Sequence, residues 1–311
     1  MGSGFALCVS FLALGSVALT ASAAPIGPLL LVNAALQAIL FTVVACVPFL
    51  RTGRVSYVDI AWPFGVAVVG GVILTMGTGH PVRMTVVGAV YLLIGLRMGI
   101  AALVMAKTVG VIVQTEFPRY VYRRMRLEQA GGGRVRLHLL SDIVAQGLAN
   151  ASVLALPGLL LVTNPSERVS GLELAGLALW AGGYLFESIA DAQKMRFISK
   201  NEGGVCTVGL WRYSRHPNYF GEWLVWTGLV VAAIPSWLAL QGREAPLTWV
   251  GLGVGLVGAS VTMYLSLVHL TGAVPAEHYS ALKRPGYRRY QQRTSRFFPW
   301  SPRPAPADEG A

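Results

Sequence analysis

Acidic residues and cysteines are scarce in this chain, and so is charge of either sign. Its 311 residues include 14 Asp and Glu against 25 Lys and Arg, and charged residues make up only 13%. A soluble protein carries roughly a quarter, so too little polarity is left to solvate a water-exposed surface. The three cysteines, Cys8, Cys46 and Cys206, show neither metal-ligand spacing nor an evident pairing. They are read as structural or incidental, and no metal site is expected. No internal repeat is evident, which sets solenoid architectures aside. The opening Met1-Gly2-Ser3-Gly4 lacks the positive n-region of a signal peptide. The apolar stretch that follows ends in Ala21, Ser22, Ala23 and Ala24 as a signal would, but on that missing feature it reads as a retained helix.

Apolar length is what the chain has. Hydrophobic residues make up 54%, in segments at about 4–24, 28–50, 58–78, 84–106, 139–163, 171–190, 220–240 and 247–271. Such runs match the ~20 residues that cross a bilayer as a helix. The 36 glycines suit close packing of membrane helices. The expectation is an all-α, polytopic transmembrane bundle of about seven to eight spans. Residues 1–300 form one transmembrane domain, with N-terminal helices in 1–54 and the core in 55–300, and the Pro- and Ala-rich end 301–311 is a disordered tail.

A net charge of +11 would raise nucleic acid as a partner of a soluble protein. Here the cations follow topology, and no nucleic-acid partner is expected. With eight spans, 21 of the 25 cations fall in loops on one side, and three, Arg83, Arg168 and Arg243, on the other. The positive-inside rule then places both termini and the loops 107–138, 191–219 and 272–311 in the cytosol. The Gly131-Gly132-Gly133 run marks a flexible loop.

The densest chemistry lies in Leu210–Trp226, LWRYSRHPNYFGEWLVW. Pro217 suits the first position of a helix. The positive end of that helix then falls beside Arg212, Arg215 and His216, a ready site for phosphate or carboxylate. Asn218 and Glu222 stand four residues apart on one face, with Tyr219 as lining between them. Other polar groups recur at helical spacing. Asp142, Gln146 and Asn150 form one stripe; Tyr184, Glu187, Asp191 and Lys194 form another; Tyr57, Asp59 and Trp62 open the third segment. Arg97 lies ten residues from Lys107, ~15 Å deep at 1.5 Å per residue, with Glu222 and Asp59 as candidate partners. Such groups either glue helices together or line a polar chamber open to the cytosol, and the set favours the chamber. A basic, aromatic tail follows, EHYSALKRPGYRRYQQRTSRFFPW, from Glu277 to Trp300. It reads either as a segment lying on anionic lipid or as a flap, with Tyr287, Tyr290 and Arg293, over an anionic cofactor.

RHPNYFGE together with RPGYRRYQQRTSRFFPW resembles bacterial membrane proteins related to the steroid 5-alpha-reductase C-terminal domain. These stand in a superfamily with sterol reductases and isoprenylcysteine carboxyl methyltransferase. The resemblance is loose over about 55–300 and close over 184–300. It implies about seven helices in a bacterial inner membrane, a cytosol-facing NADPH site, and reduction of a double bond conjugated to a carbonyl in a lipophilic small molecule. It also implies cofactor contacts for Asn218 and Glu222 (N-x-x-G-E), Asp191 and Tyr290. VDIAW with Asp59, GLRMG with Arg97, and TEFPRY with Glu116, Arg119 and Tyr120 resemble further family stretches. Departures exist: Ala101 stands where a histidine is expected, and Lys107 comes late.

Hydride transfer requires nicotinamide and alkene face to face with water excluded. The carbonyl oxygen needs a donor, and Tyr57, Tyr184 and Tyr219 are all available. A buried, protonated Glu222 would orient the nicotinamide amide. Two other classes compete. A methyltransferase using S-adenosylmethionine shares RHP-x-Y, but usually carries paired acids where this chain has Glu277-His278. A non-catalytic lipid-binding member of the fold would explain the missing residues after Arg97.

Overall fold

The computed structural model describes residues 22–23, 25–108, 110, 112–131, 133–200 and 204–304. Of the first expected helix only Ser22 and Ala23 are among them; Cys8, Gly132 and residues 305–311 lie outside. The regular elements are helices: α1 (Gly27–Thr52), α2 (Val58–Met76), α3 (Pro81–Thr108), α4 (Pro118–Gln129), α5 (Val135–Ala151) and α6 (Leu156–Val162). Then come α7 (Gly171–Lys200), α8 (Pro217–Leu238), α9 (Pro246–Leu265), α10 (Ala273–Lys283) and α11 (Tyr287–Arg293). Helices α3, α4, α8 and α9 each start on a proline, where its missing N–H costs nothing.

Six helical runs among the described residues are long and apolar enough to cross a membrane: Gly27–Thr52, Val55–Met76, Pro81–Thr108, Val135–Val162, Pro217–Leu238 and Pro246–Lys283. The all-α polytopic architecture is therefore present. The expected segment 171–190 is helical within α7 but is not one of the six. Its acids Glu173, Glu187 and Asp191 and its glycines dilute the apolar run. Six of the expected spans are thus present by length and apolarity among the described residues, and all but two residues of the first expected segment lie outside them.

The chain divides into two compact units, one of residues up to Gly176 with Leu229–Thr262, the other of Leu177–Gly228 with residues from Met263 onward. In the first, α2 and α3 are in backbone contact. A Cβ on Gly95 would sit 2.4 Å from Ala67 N, and one on Gly70 2.8 Å from Gly88 O, so only glycine permits this approach. Phe41, Ala45 and Phe49 of α1 pack with Val58 and Ala61 of α2, Tyr120 and Leu127 of α4, and Leu139 and Ile143 of α5.

The apolar run of α5 and α6 is interrupted at 152–155. A broken helix there is tolerable only if its freed backbone groups find partners. Asn33 Nδ2 donates to the carbonyls of Asn150 and Ala151, both at 3.2 Å. Tyr91 Oη donates to Leu154 O at 2.8 Å and accepts from the Gly158 N–H at 3.1 Å. Arg83 is equally structural: it pairs with buried Glu173 at 2.7 Å and donates to the carbonyls of Asn164, Ser166 and Arg168.

In the second unit α7 crosses α8 at glycines. A Cβ on Gly183 would lie 2.8 Å from Val225 N, and one on Gly221 2.6 Å from Glu187 N. The Gly of RHPNYFGE is therefore a contact point that sets Glu187 of α7 against the start of α8.

Candidate functional site

The two distinctive stretches of the sequence are docked on each other. Residues 290–300 run beside 211–215. The Arg215 N–H donates to Ser295 O at 2.8 Å, Ser214 Oγ to Phe297 O at 2.8 Å, and the Trp300 N–H to Tyr213 O at 3.0 Å. Tyr290, buried, places its Oη on Trp211 O and 3.2 Å from Ser214 O. Phe220 and Trp223 of α8 meet Phe297 and Phe298 of the tail edge to face, at 5.7–6.0 Å.

Glu277 of α10 is the hub beneath this dock. Its carboxylate takes Arg215 Nε at 2.8 Å and Nη2 at 3.2 Å, His216 Nε2 at 3.2 Å and Gln291 Nε2 at 3.1 Å, with Arg296 at 3.4 Å. Arg215 Nη1 donates to the carbonyls of Gln291 and Thr294. An ionised carboxylate only accepts, so His216 carries its proton on Nε2. Burial holds the His216 pKa below its ordinary value, and the hydrogen bond to Glu277 only partly offsets this. Its ring stacks on Tyr219 at 5.2 Å. Burial also raises the Tyr290 hydroxyl, and lifts Tyr287 to about 12, with the Glu277 charge adding to the shift. Arg215, His216, Tyr287 and Tyr290 thus all have partners within the dock. Arg293 is exposed at its edge, with Nε 3.2 Å from Arg303 O.

A second group lies along α7 and the start of α8. Lys194 Nζ sits 4.4 Å over the Trp211 ring, next to exposed Arg212, and burial lowers its pKa. Gln193 Oε1 accepts the Leu210 N–H at 2.8 Å and ties that loop to α7. Glu187 is buried against Gly221, which adjoins Glu222, and Asp191 lies one turn further along α7. Tyr184 stacks on Trp180 at 5.9 Å. Asn218 Oδ1 is buried and accepts no hydrogen bond among the described residues. An orphan acceptor of this kind calls for a donor from outside the chain. Glu187 and Gly221 thus mark the α7–α8 crossing, Asn218 and Glu222 lie in the first two turns of α8, and Lys194 covers Trp211, which precedes Arg212.

Tyr57, Asp59 and Arg97 belong to the first unit. Asp59 was expected opposite Arg97. Instead its Oδ1 takes Arg119 at 2.7 Å and Tyr120 Oη at 3.0 Å, because α4 lays its cationic face along the start of α2. Burial, and then the Asp59 charge, push Tyr120 well above its usual pKa. Glu116 accepts the N–H groups of Val55 and Ser56, both at 2.8 Å, and so caps the entry to α2. Tyr57 Oη accepts from Arg54 at 3.3 Å. Arg97 is half-buried in α3 and is not without a partner. Asp142 pairs with Arg123 at 2.8 Å, and Asn150 Nδ2 donates to Trp62 O at 2.8 Å. That stripe is consumed in joining helices.

Glu277 escaped the reading of the sequence as a site residue, though a signal was there: it is the only acid between Glu244 and Asp308. Cys46 and Cys206 are free thiols.

An uncharacterised protein of Schizosaccharomyces pombe, C594.04c, is 36% identical over 98 residues, 31% of this chain. The match spans only 24% of that relative's length. No solved structure matches the chain. A family model described as "Protein of unknown function (DUF1295)" matches residues 47–294, which take in Leu210–Trp226 and the tail as far as Thr294. With most of its length covered, the chain belongs to the DUF1295 family.

Proposed function

We propose that this protein is a membrane-embedded, NADPH-dependent reductase of a carbon–carbon double bond conjugated to a carbonyl in a lipophilic substrate, a steroid-like or other enone. This follows its resemblance to steroid 5-alpha-reductase-like membrane proteins. The observation that carries it is Asn218: a buried, unmatched acceptor at the start of α8, beside the Gly221–Glu187 contact. A nicotinamide carboxamide offers the N–H that such an acceptor lacks. The donor set around it also fits a dinucleotide. Lys194 and Arg212 supply cations for phosphates beside the positive end of α8, and Glu187 and Asp191 supply acceptors for ribose hydroxyls.

When bound, NADPH supplies the hydride that adds to one alkene carbon, while a proton completes the other. Asn218 and Glu222 are the residues that would hold the nicotinamide, by its amide. Tyr184 or Glu222 would donate to the carbonyl oxygen as charge builds there. The dock of Arg215, His216, Tyr287 and Tyr290 acts indirectly, by fixing where α8 begins. The protein lies in a bacterial inner membrane with its C-terminus in the cytosol, from the 21-to-3 cation bias.

The test is titration of purified protein with NADPH and with S-adenosylmethionine. Saturable NADPH binding, weakened in Asn218→Leu at an unchanged melting temperature, supports the proposal. Binding of S-adenosylmethionine alone, or of neither, overturns it.

A further inference from the structure

The C-terminal segment carries a cationic cluster used neither by the dock nor by the proposed reaction. Helix α11 buries Tyr287 and Tyr290, which leaves Arg288, Arg289 and Arg293 exposed on its outer side. Arg289 and Arg293 are four residues apart and share a face. Backbone contacts bring Arg303 to the same place: its N–H donates to Arg293 O at 2.8 Å, and Arg293 Nε donates to Arg303 O at 3.2 Å. Among the described residues no acid pairs with these arginines. Glu277, the only acid between Glu244 and Asp308, is enclosed under the tail with Arg215.

A second observation fixes the level at which the cluster sits. Trp300 is 75% exposed and Phe298 49% exposed. The Trp300 backbone is tied to Tyr213, itself 42% exposed, four residues before the membrane-length helix α8 begins. Exposed indole and phenol rings beside the end of a span belong at the headgroup level of a bilayer. A water-soluble phosphate would have no use for these exposed rings, whereas a lipid has use for both parts.

We propose that Arg289, Arg293 and Arg303 bind the phosphates of anionic lipids, with Trp300 inserted among the headgroups beside them. Guanidinium groups grip phosphate bidentately, and an anionic leaflet concentrates basic segments at its surface. The proposal stands whether or not the reductase reading does.

The test uses the full chain in nanodiscs that contain phosphatidylglycerol or phosphatidylcholine brominated on the acyl chains near the headgroup. Subtracting the emission of Trp300→Ser from that of the wild type isolates Trp300 from the other tryptophans. Trp300 should be quenched several-fold more by brominated phosphatidylglycerol than by brominated phosphatidylcholine at equal mole fraction. The double variant Arg289→Gln/Arg303→Gln should lose this preference and keep its melting temperature, because neither side chain has a partner among the described residues. Equal quenching by the two lipids, or none, overturns the proposal. So does a preference that survives in the double variant.

Discussion

Replacing Glu277 by alanine is the sharpest test of how the two docked stretches hold together. The substitution leaves Arg215 only 7% exposed, with Nε and Nη2 facing a void and only the carbonyls of Gln291 and Thr294 still bound. An uncompensated buried charge of this kind costs about 3–5 kcal/mol. His216 and Gln291 lose their acceptor as well, at ~1 kcal/mol each. Thermal unfolding in detergent should show a loss of that order, and trypsin should cut at Arg288, Arg289 and Arg293 sooner than in the wild type. The paired replacement Arg215→Met with Glu277→Leu should recover most of the loss, since no unpaired charge remains. A Glu277→Ala protein that melts like the wild type with a protected tail would refute the hub. If instead Arg215→Met lowers NADPH affinity at constant melting temperature, Arg215 serves an anion directly rather than the tail.

Two further outcomes follow from the same geometry. Burial keeps His216 neutral in the fold, so its folded pKa lies below the 6.5 of the unfolded chain; stability should be full above that value and decline as pH falls below it. Glu277, Arg215 and Arg296 face the same ring, and His216→Gln should flatten the slope of melting temperature against pH over that window if His216 is its source. Gly221→Ala would put a methyl group 2.6 Å from the Glu187 backbone nitrogen; α7 and α8 would have to part, at about 1–3 kcal/mol, and an unchanged melting temperature would show that the crossing is slack.

What was legible in the sequence was whatever depends on neighbours along the chain. Apolar runs announced the helices, Pro217 announced the start of α8, and the spacing of Asn218 and Glu222 announced a shared face. Long-range partners were not legible. Asp59 looked like one of two candidate mates of Arg97, with Glu222 the other, yet the residue that reaches Asp59 is Arg119, from a cationic helix 60 positions away. The interruption of α5 and α6 was hidden because Ser152 is its only polar residue and an apolar run follows at once. Only the carbonyl partners Asn33 and Tyr91, on other helices, reveal it.

The RHPNYFGE motif divides between two tasks, and the division explains why a basic tail accompanies it. Its first half, Arg215 and His216, turns to Glu277 and the tail. Tyr219 stacks on His216 and Phe220 joins the tail aromatics, so these also belong to the dock. Gly221 faces α7, and Asn218 keeps a free acceptor. The eight cations of the two stretches would repel one another if left as a bare patch. Gathering Arg215 and Arg296 around one enclosed acid turns part of that repulsion into a clamp. The clamp fixes where α8 begins, and the beginning of α8 sets where Asn218 points. A mutation in the tail should therefore weaken ligand binding through the position of Asn218, without touching the ligand itself.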